Sequence, residues 1–274
     1  MNAVTLTFFN EQRYICMKQY SFVKSAIAVV CGLGLATAIT AQASPIAQWT
    51  FEIGAPSAVP SAWNGTVGFL GTTPGPTFPV PSDISTYGNG GATGLHVTTG
   101  TMWVGPVGNG SLRSLSANQW LQNDYFQFTF TPTAGYSFSG ISLAWDQTGS
   151  SSGPRLWNLQ YSTDGSSFTT FGSDYSLAFF SWNSSTVQGN NESANLGGVL
   201  DSTLNSGGTV YFRVVDDSAV GGGAINNGNV GTGGTDRIDN FTIASTVTAV
   251  PEPSSLCLLG GFGLLGWHLI RRRS

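Results

Sequence analysis

An all-β body, an antiparallel β-sandwich of jelly-roll-like type, follows from three observations. Apolar and polar residues alternate in short runs, no stretch of the body keeps a helical period, and glycine-, serine- and asparagine-rich loops separate the runs. Thirty-seven glycines and twelve prolines in 274 residues also work against long helices.

The clearest run is YFQFTFT. Phe126, Phe128 and Phe130 share one face, and Gln127 and Thr129 take the other. In RLWNLQYS, Trp157, Leu159 and Tyr161 alternate with Asn158 and Gln160. In TVYFRVV, Val210, Phe212 and Val214 alternate with Tyr211 and Arg213. Each reads as a strand with one buried and one solvated face. Gln48–Glu52, Ile141–Asp146, Phe168–Phe171 and Asp236–Ile243 are further strand candidates. Asp164-Gly165, between two such runs, suits a tight hairpin turn that needs positive φ. Residues 54–91 and 216–235 read as long loops.

Composition narrows the function. The body, residues 44–249, has no cysteine and no lysine. Its four arginines, Arg113, Arg155, Arg213 and Arg237, face twelve acids, a net charge of −8. Such a surface repels phosphate backbones, so nucleic acid is not an expected partner. Zinc-finger spacing and a cysteine nucleophile are excluded there.

Catalytic motifs are weak. GSSSG at 149–153 fits G-x-S-x-G, but a nucleophile elbow needs a strand before it, a helix after it and a histidine base. The stretch sits in a loop, and His96 is the body's single histidine. GFGLLG at 261–266 fits G-x-G-x-x-G but has no βαβ unit around it. Asp216 and Asp217 are adjacent, so on a strand they point to opposite faces rather than converge on one bond. A non-enzymatic body is therefore expected, with a polysaccharide hydrolase the least favoured reading.

Two binding expectations remain. Glu52 follows the aromatics of the first strand, and Asp236 and Asp239 sit on the last. If those strands are neighbours, the three carboxylates with loop carbonyls would suit a structural calcium ion. The alternative is that Asp239 and Arg237 make surface pairs. Seven tryptophans lie in the body. Most would be core, and Trp63 and Trp103, beside glycine and proline loops, are the candidates for exposed sugar-stacking platforms.

Both ends read as addresses. Lys18 and Lys24 precede an apolar run, Ala26 to Thr40, and Ala41-Gln42-Ala43 is an A-x-A cleavage site that would leave Ser44 as the new N-terminus. Residues 1–43 thus form a secretory signal peptide for the Sec export machinery. Met17 begins the unit cleanly and is the suspected true start. At the other end, Leu256 to Ile270 carries no charge. As a helix these fifteen residues span about 22 Å, short of a bilayer core of about 30 Å, and Trp267 and the arginines can anchor at the interface. Arg271, Arg272 and Arg273 would stay cytoplasmic, leaving the body outside. Both ends specify the same topology.

Val250-Pro251-Glu252-Pro253, the short apolar helix and the closing arginine cluster together resemble the PEP-CTERM sorting signal over residues 250–274. The resemblance implies recognition by an exosortase, a multi-spanning inner-membrane enzyme of Gram-negative bacteria. It also implies removal of the tail and delivery to the cell surface or exopolysaccharide matrix. A plain C-terminal anchor is the alternative. The body is similar, more loosely, to sandwich modules found ahead of such tails. The features are WTFE, YFQFTFTPTAGYSFS leading into ISLAWD, YSTDGSSF and DRIDNFTI. The YSTDG hairpin also resembles one in carbohydrate-binding and discoidin-like modules, which makes a module for the producer's own polysaccharide the second functional expectation.

Overall fold

Among the described residues, thirteen strands and one helical turn are built from the period-two runs and from several stretches that lack the pattern. In chain order they are β1 (Ala43–Trp49), β2 (Gly68–Thr72), β3 (Val80–Pro81), β4 (Gly88–Leu95), β5 (Met102–Gly105), β6 (Leu115–Asn118), β7 (Tyr125–Pro132) and β8 (Tyr136–Gly149). Then come β9 (Leu156–Ser162), β10 (Thr169–Ser176), β11 (Asn191–Gly197), the turn α1 (Asp201–Asn205), β12 (Val210–Asp216) and β13 (Thr235–Ala249). The structure, a computed structural model, describes residues 43–52, 68–72, 80–98, 101–189, 191–218 and 223–250. All of these lie in one compact unit, Ala41–Ser274.

The strands form two antiparallel sheets. The first runs β11-β8-β13-β6-β5-β2, with β1 also paired to β13. The second runs β10-β9-β12-β7-β4-β3. First and last strands are indeed neighbours: Trp49 of β1 is opposite Phe241 of β13.

The inward residues of both sheets make one aromatic core. Phe126, Phe128 and Phe130 from β7 and Val210, Phe212 and Val214 from β12 are fully buried. They meet Trp49, Ile238, Phe241 and Ile243 from the first sheet, likewise fully buried. Trp49 meets Phe128 edge-on at 5.1 Å, and Trp120 meets Trp157 at 4.9 Å. Full burial of a large apolar side chain contributes roughly 1.5–3 kcal/mol, so these residues hold the sheets together. Both strands were expected from their alternation, and the structure places their apolar faces inward.

Several expectations need correction. The segment read as a loop over 54–91 contains β2, β3 and the start of β4. The inner face of β4 is Gly88, Gly90, Ala92 and Gly94, opposite Pro132, Phe130, Phe128 and Phe126. A Cβ on Gly94 would lie 2.2 Å from Trp103 Cη2, and one on Gly90 2.7 Å from Trp49 Cζ2. The strand stays bare so that two indoles can lie against it. The expected first strand, Gln48–Glu52, instead ends at Trp49, because Phe51 turns to a φ of 56°. The strand expected at Phe168–Phe171 runs Thr169–Ser176.

Candidate functional site

On the outer face of the second sheet the register aligns five polar side chains in one row. Thr170 pairs with Gln160, Gln160 with Arg213, Arg213 with Gln127, and Gln127 with Thr93. The row crosses β10, β9, β12, β7 and β4, about 19 Å at the usual strand spacing. Thr170 is exposed and the other four are half-buried.

Arg213 is the centre of this row and its only charge. Its guanidinium carbon lies 3.8 Å from the centroid of the Tyr125 ring and 3.5 Å from that of Phe168. Its Nε donates to Gln127 Oε1 at 2.9 Å. No carboxylate pairs with it among the described residues, and the ring it faces on β7 is the titratable group closest to it in effect. Burial pushes the Tyr125 phenol up, partly offset by Arg213. The β9–β10 turn roofs one side. Gly165, at a φ of 73°, packs so closely on the Tyr211 ring that a Cβ would meet Cζ at 2.9 Å.

Inside the sandwich lies a layer of buried titratable groups. The Asp236 carboxylate is fully buried; Gln147 Nε2 donates to its Oδ1 at 2.9 Å and Oδ2 has no partner among the described residues. Burial raises it well above the ordinary carboxylate range. Tyr175 donates to Gln147 Oε1 at 2.6 Å. Asp216 receives the Ser218 N–H at 2.8 Å, and burial lifts it to about 7. His96 stands 3.6 Å from Asp124 Oδ2, but burial lowers it to about 3, so the contact is not an ion pair at neutral pH.

The three carboxylates expected to share calcium stand in two places. Asp236 faces the interior with Gln147. Asp239 faces the loop 108–113: its Oδ2 receives Asn109 N at 2.8 Å and Ser111 Oγ at 2.6 Å. Glu52 Oε1 accepts from Arg113 N of the same loop at 2.7 Å. The physical reason is an irregularity at Asn240, with a φ of 51° and a register shift against β8 between Asp239 and Thr242. Among the described residues, no group of three or more His, Cys, Asp or Glu is arranged to hold a metal ion.

The exposure expected for Trp103 is overturned. It is fully buried, edge-on to His96 at 4.7 Å, because glycine on β4 leaves it room. Trp63 lies outside the described residues. Asp216 and Asp217 diverge: the first is enclosed, and the second accepts from Gln122 Nε2 near the surface. Arg237, considered as a surface partner for Asp239, instead donates to Val107 O at 3.2 Å and lies under the Trp182 ring. Ala43 and Ser44 open β1, and Val250 N donates to Gly135 O at 2.8 Å. Ala41, Pro251, Glu252, Pro253, Arg271, Arg272 and Arg273 lie outside the described residues, as does the expected helix at 256–270. No helix among the described residues is long and apolar enough to cross a membrane.

Residues 249–274 match the family model of the PEP-CTERM protein-sorting motif. The match begins at the final residue of β13, so the chain's C-terminal segment is this sorting motif. No curated protein matches the chain. Among solved structures, the K1 cleaved adhesin domain of Lys-gingipain from Porphyromonas gingivalis W83 is 13% identical. That likeness covers 77% of this chain and 99% of that one, with a TM-score of 0.30. A family 11 carbohydrate-binding module from Clostridium thermocellum, in complex with a mixed-linked tetrasaccharide, is 9% identical over 56% of this chain and 87% of that one, with a TM-score of 0.26. TmCBM61, in complex with β-1,4-galactotriose, is 12% identical over 50% and 71%, with a TM-score of 0.25. Likenesses this low carry no functional argument.

Proposed function

We propose that the chain is an exported protein, handed by its tail to an exosortase and delivered to the cell surface or exopolysaccharide matrix with a non-enzymatic β-sandwich as its body. The observation that carries this is the sorting motif beginning at Ala249, where the last strand ends. The last strand ends where the motif begins, so removal of the residues after Ala249 would leave every described strand in place. In this reading the signal peptide ends at Ala43, and the helix at 256–270 holds the protein in the inner membrane until processing. Immunoblots of cell fractions with and without the exosortase test it. The expected result is a shorter, extracellular form that disappears when the enzyme is absent. An identical mass and location in both strains would overturn the proposal.

A second reading, that the body binds the producer's polysaccharide, is favoured by the polar row on the second sheet. Thr170, Gln160, Arg213, Gln127 and Thr93 offer hydroxyl, amide and guanidinium groups in register across five strands. Such groups fit the hydroxyls of an extended glycan. Binding to a broad glycan panel, weakened by Gln160→Ala, is the expected result; no binding to any glycan removes this reading. Glu52 and Asp239, with the oxygens of loop 108–113, are the groups that would hold a structural calcium ion.

A further inference from the structure

We infer that Arg213 makes the row on the second sheet selective for carboxylate-bearing glycans. The inference rests on the glycan-binding reading and names its ligand class. A guanidinium is a planar fork suited to grip a carboxylate with two hydrogen bonds. Here the fork is already oriented. The Tyr125 and Phe168 rings fix its plane, and Gln127 fixes one edge through Nε. A cation held against two rings is stabilised without a counter-ion, and among the described residues no carboxylate pairs with it. Ordering costs that a flexible arginine would meet on binding are already met in the fold.

The same contacts take up ring faces that could otherwise stack on a sugar. Both rings turn a face to Arg213 rather than to solvent, so those faces are not open for stacking on a pyranose. What the row presents is one charge flanked by uncharged hydrogen-bonding side chains, Gln160 and Thr170 on one side and Gln127 and Thr93 on the other. That spacing fits a chain of hydroxyls punctuated by acid groups. It does not fit a densely charged polyanion, which the body's net −8 would repel.

Affinity electrophoresis of the full-length protein tests this in gels holding deacylated gellan, a glycan whose uronates are separated by neutral sugars, its fully methyl-esterified form, or polyglutamate. Retardation by the unesterified gellan alone is the expected result. Arg213→Lys, which keeps the charge but loses the fork, should weaken it about tenfold or more. Gln160→Ala should weaken it a few-fold; among the described residues that side chain takes no part in the ring contacts, so the variant keeps the test sound if Arg213→Lys fails to fold by thermal melting. Equal retardation by the methyl ester would overturn the role of Arg213 while leaving glycan binding intact. Equal retardation by polyglutamate would mean an acidic protein is the partner and overturn the glycan class. Retardation by none of the three overturns the selectivity, and a neutral-glycan panel then decides separately whether the binding reading survives.

Discussion

Phe128 and Phe241 stack across the two sheets with ring centroids 3.6 Å apart and planes 1° from parallel. Trp49 closes on both rings edge-on, at 5.1 and 5.9 Å. This triplet ties β7, β13 and β1 together at the centre of the sandwich, where no side chain can move to fill a gap. Phe241→Ala should therefore destabilise the fold by about 3–5 kcal/mol. Urea denaturation reads the change through the midpoint. A loss below about 1 kcal/mol would mean the core can collapse around the site, contrary to the packing described.

Gly165 carries the sharpest local constraint on the outer face. It combines a φ of 73° with a Tyr211 ring where a Cβ would sit. Asp164 braces the same turn by accepting from Ser166 N at 2.8 Å and Ser167 N at 2.7 Å, and those bonds hold its carboxyl well below the ordinary range. Gly165→Ala should cost about 1–3 kcal/mol, since both the backbone and the ring contact must give. A urea midpoint equal to that of the unaltered protein would show that the turn relaxes freely.

How much of this was legible in the sequence depended on where the bulk lies. β7, β9 and β12 announce themselves because each carries its own inward aromatics, as at Phe126, Phe128 and Phe130. β4 does not, because its inner positions are glycines and the rings that fill them, Trp49 and Trp103, belong to other strands. Trp103 looked exposed because Gly100, Gly105 and Pro106 flank it in the chain, whereas in the fold it packs on Gly94, bare on β4. Gln127 and Arg213 could be assigned to outward faces from alternation alone. That they pair side by side, with Gln160 and Thr93 in line, is a matter of register, which a single sequence does not encode locally. The division of Asp236 from Asp239 depends on the kink at Asn240, which alternation cannot foresee.

Asp216 gives the fold an unusual pH response. Its folded value is raised from 3.8 to about 7, by burial first and by Asp124 and Asp217 after it. Between about pH 4 and 7 the folded protein thus keeps a proton that the unfolded chain releases. Stability from this group is full below pH 4 and is lost as pH rises through 7, by at most about 1.4 kcal/mol per pH unit. His96 runs the other way. It stays neutral in the fold down to about 3, so acidification below about 6.5 favours the unfolded chain. Asp216→Asn removes only the first effect and keeps the acceptor for Ser218 N. The variant's urea midpoint should rise relative to the unaltered protein from pH 5 to pH 8 and then level off. A difference that does not vary with pH would mean Asp216 is ionised throughout.

Asp239 poses the same burial problem with a different remedy. It is fully buried with no cation paired to it among the described residues, and burial lifts it to about 7. Ser111 Oγ lies 2.6 Å from Asp239 Oδ2 and 2.9 Å from Arg113 O, yet has a single hydrogen for the two acceptors. Glu52 Oε1 accepts from the N–H of that same Arg113. In the proposed calcium reading, a divalent cation would take oxygens from Asp239, Ser111 and Arg113 without needing a hydrogen. Calcium at about 100 times its dissociation constant should stabilise the fold by about 2.7 kcal/mol. Thermal melts with calcium and with a chelator measure the shift, with sodium at matched ionic strength as the control. Asp239→Asn should remove the response, and Asp236→Asn should leave it, because Asp236 bonds to Gln147 inside the sandwich rather than to the loop. An equal response from both variants, or none from the unaltered protein, would mean that the proton alone offsets the burial of Asp239.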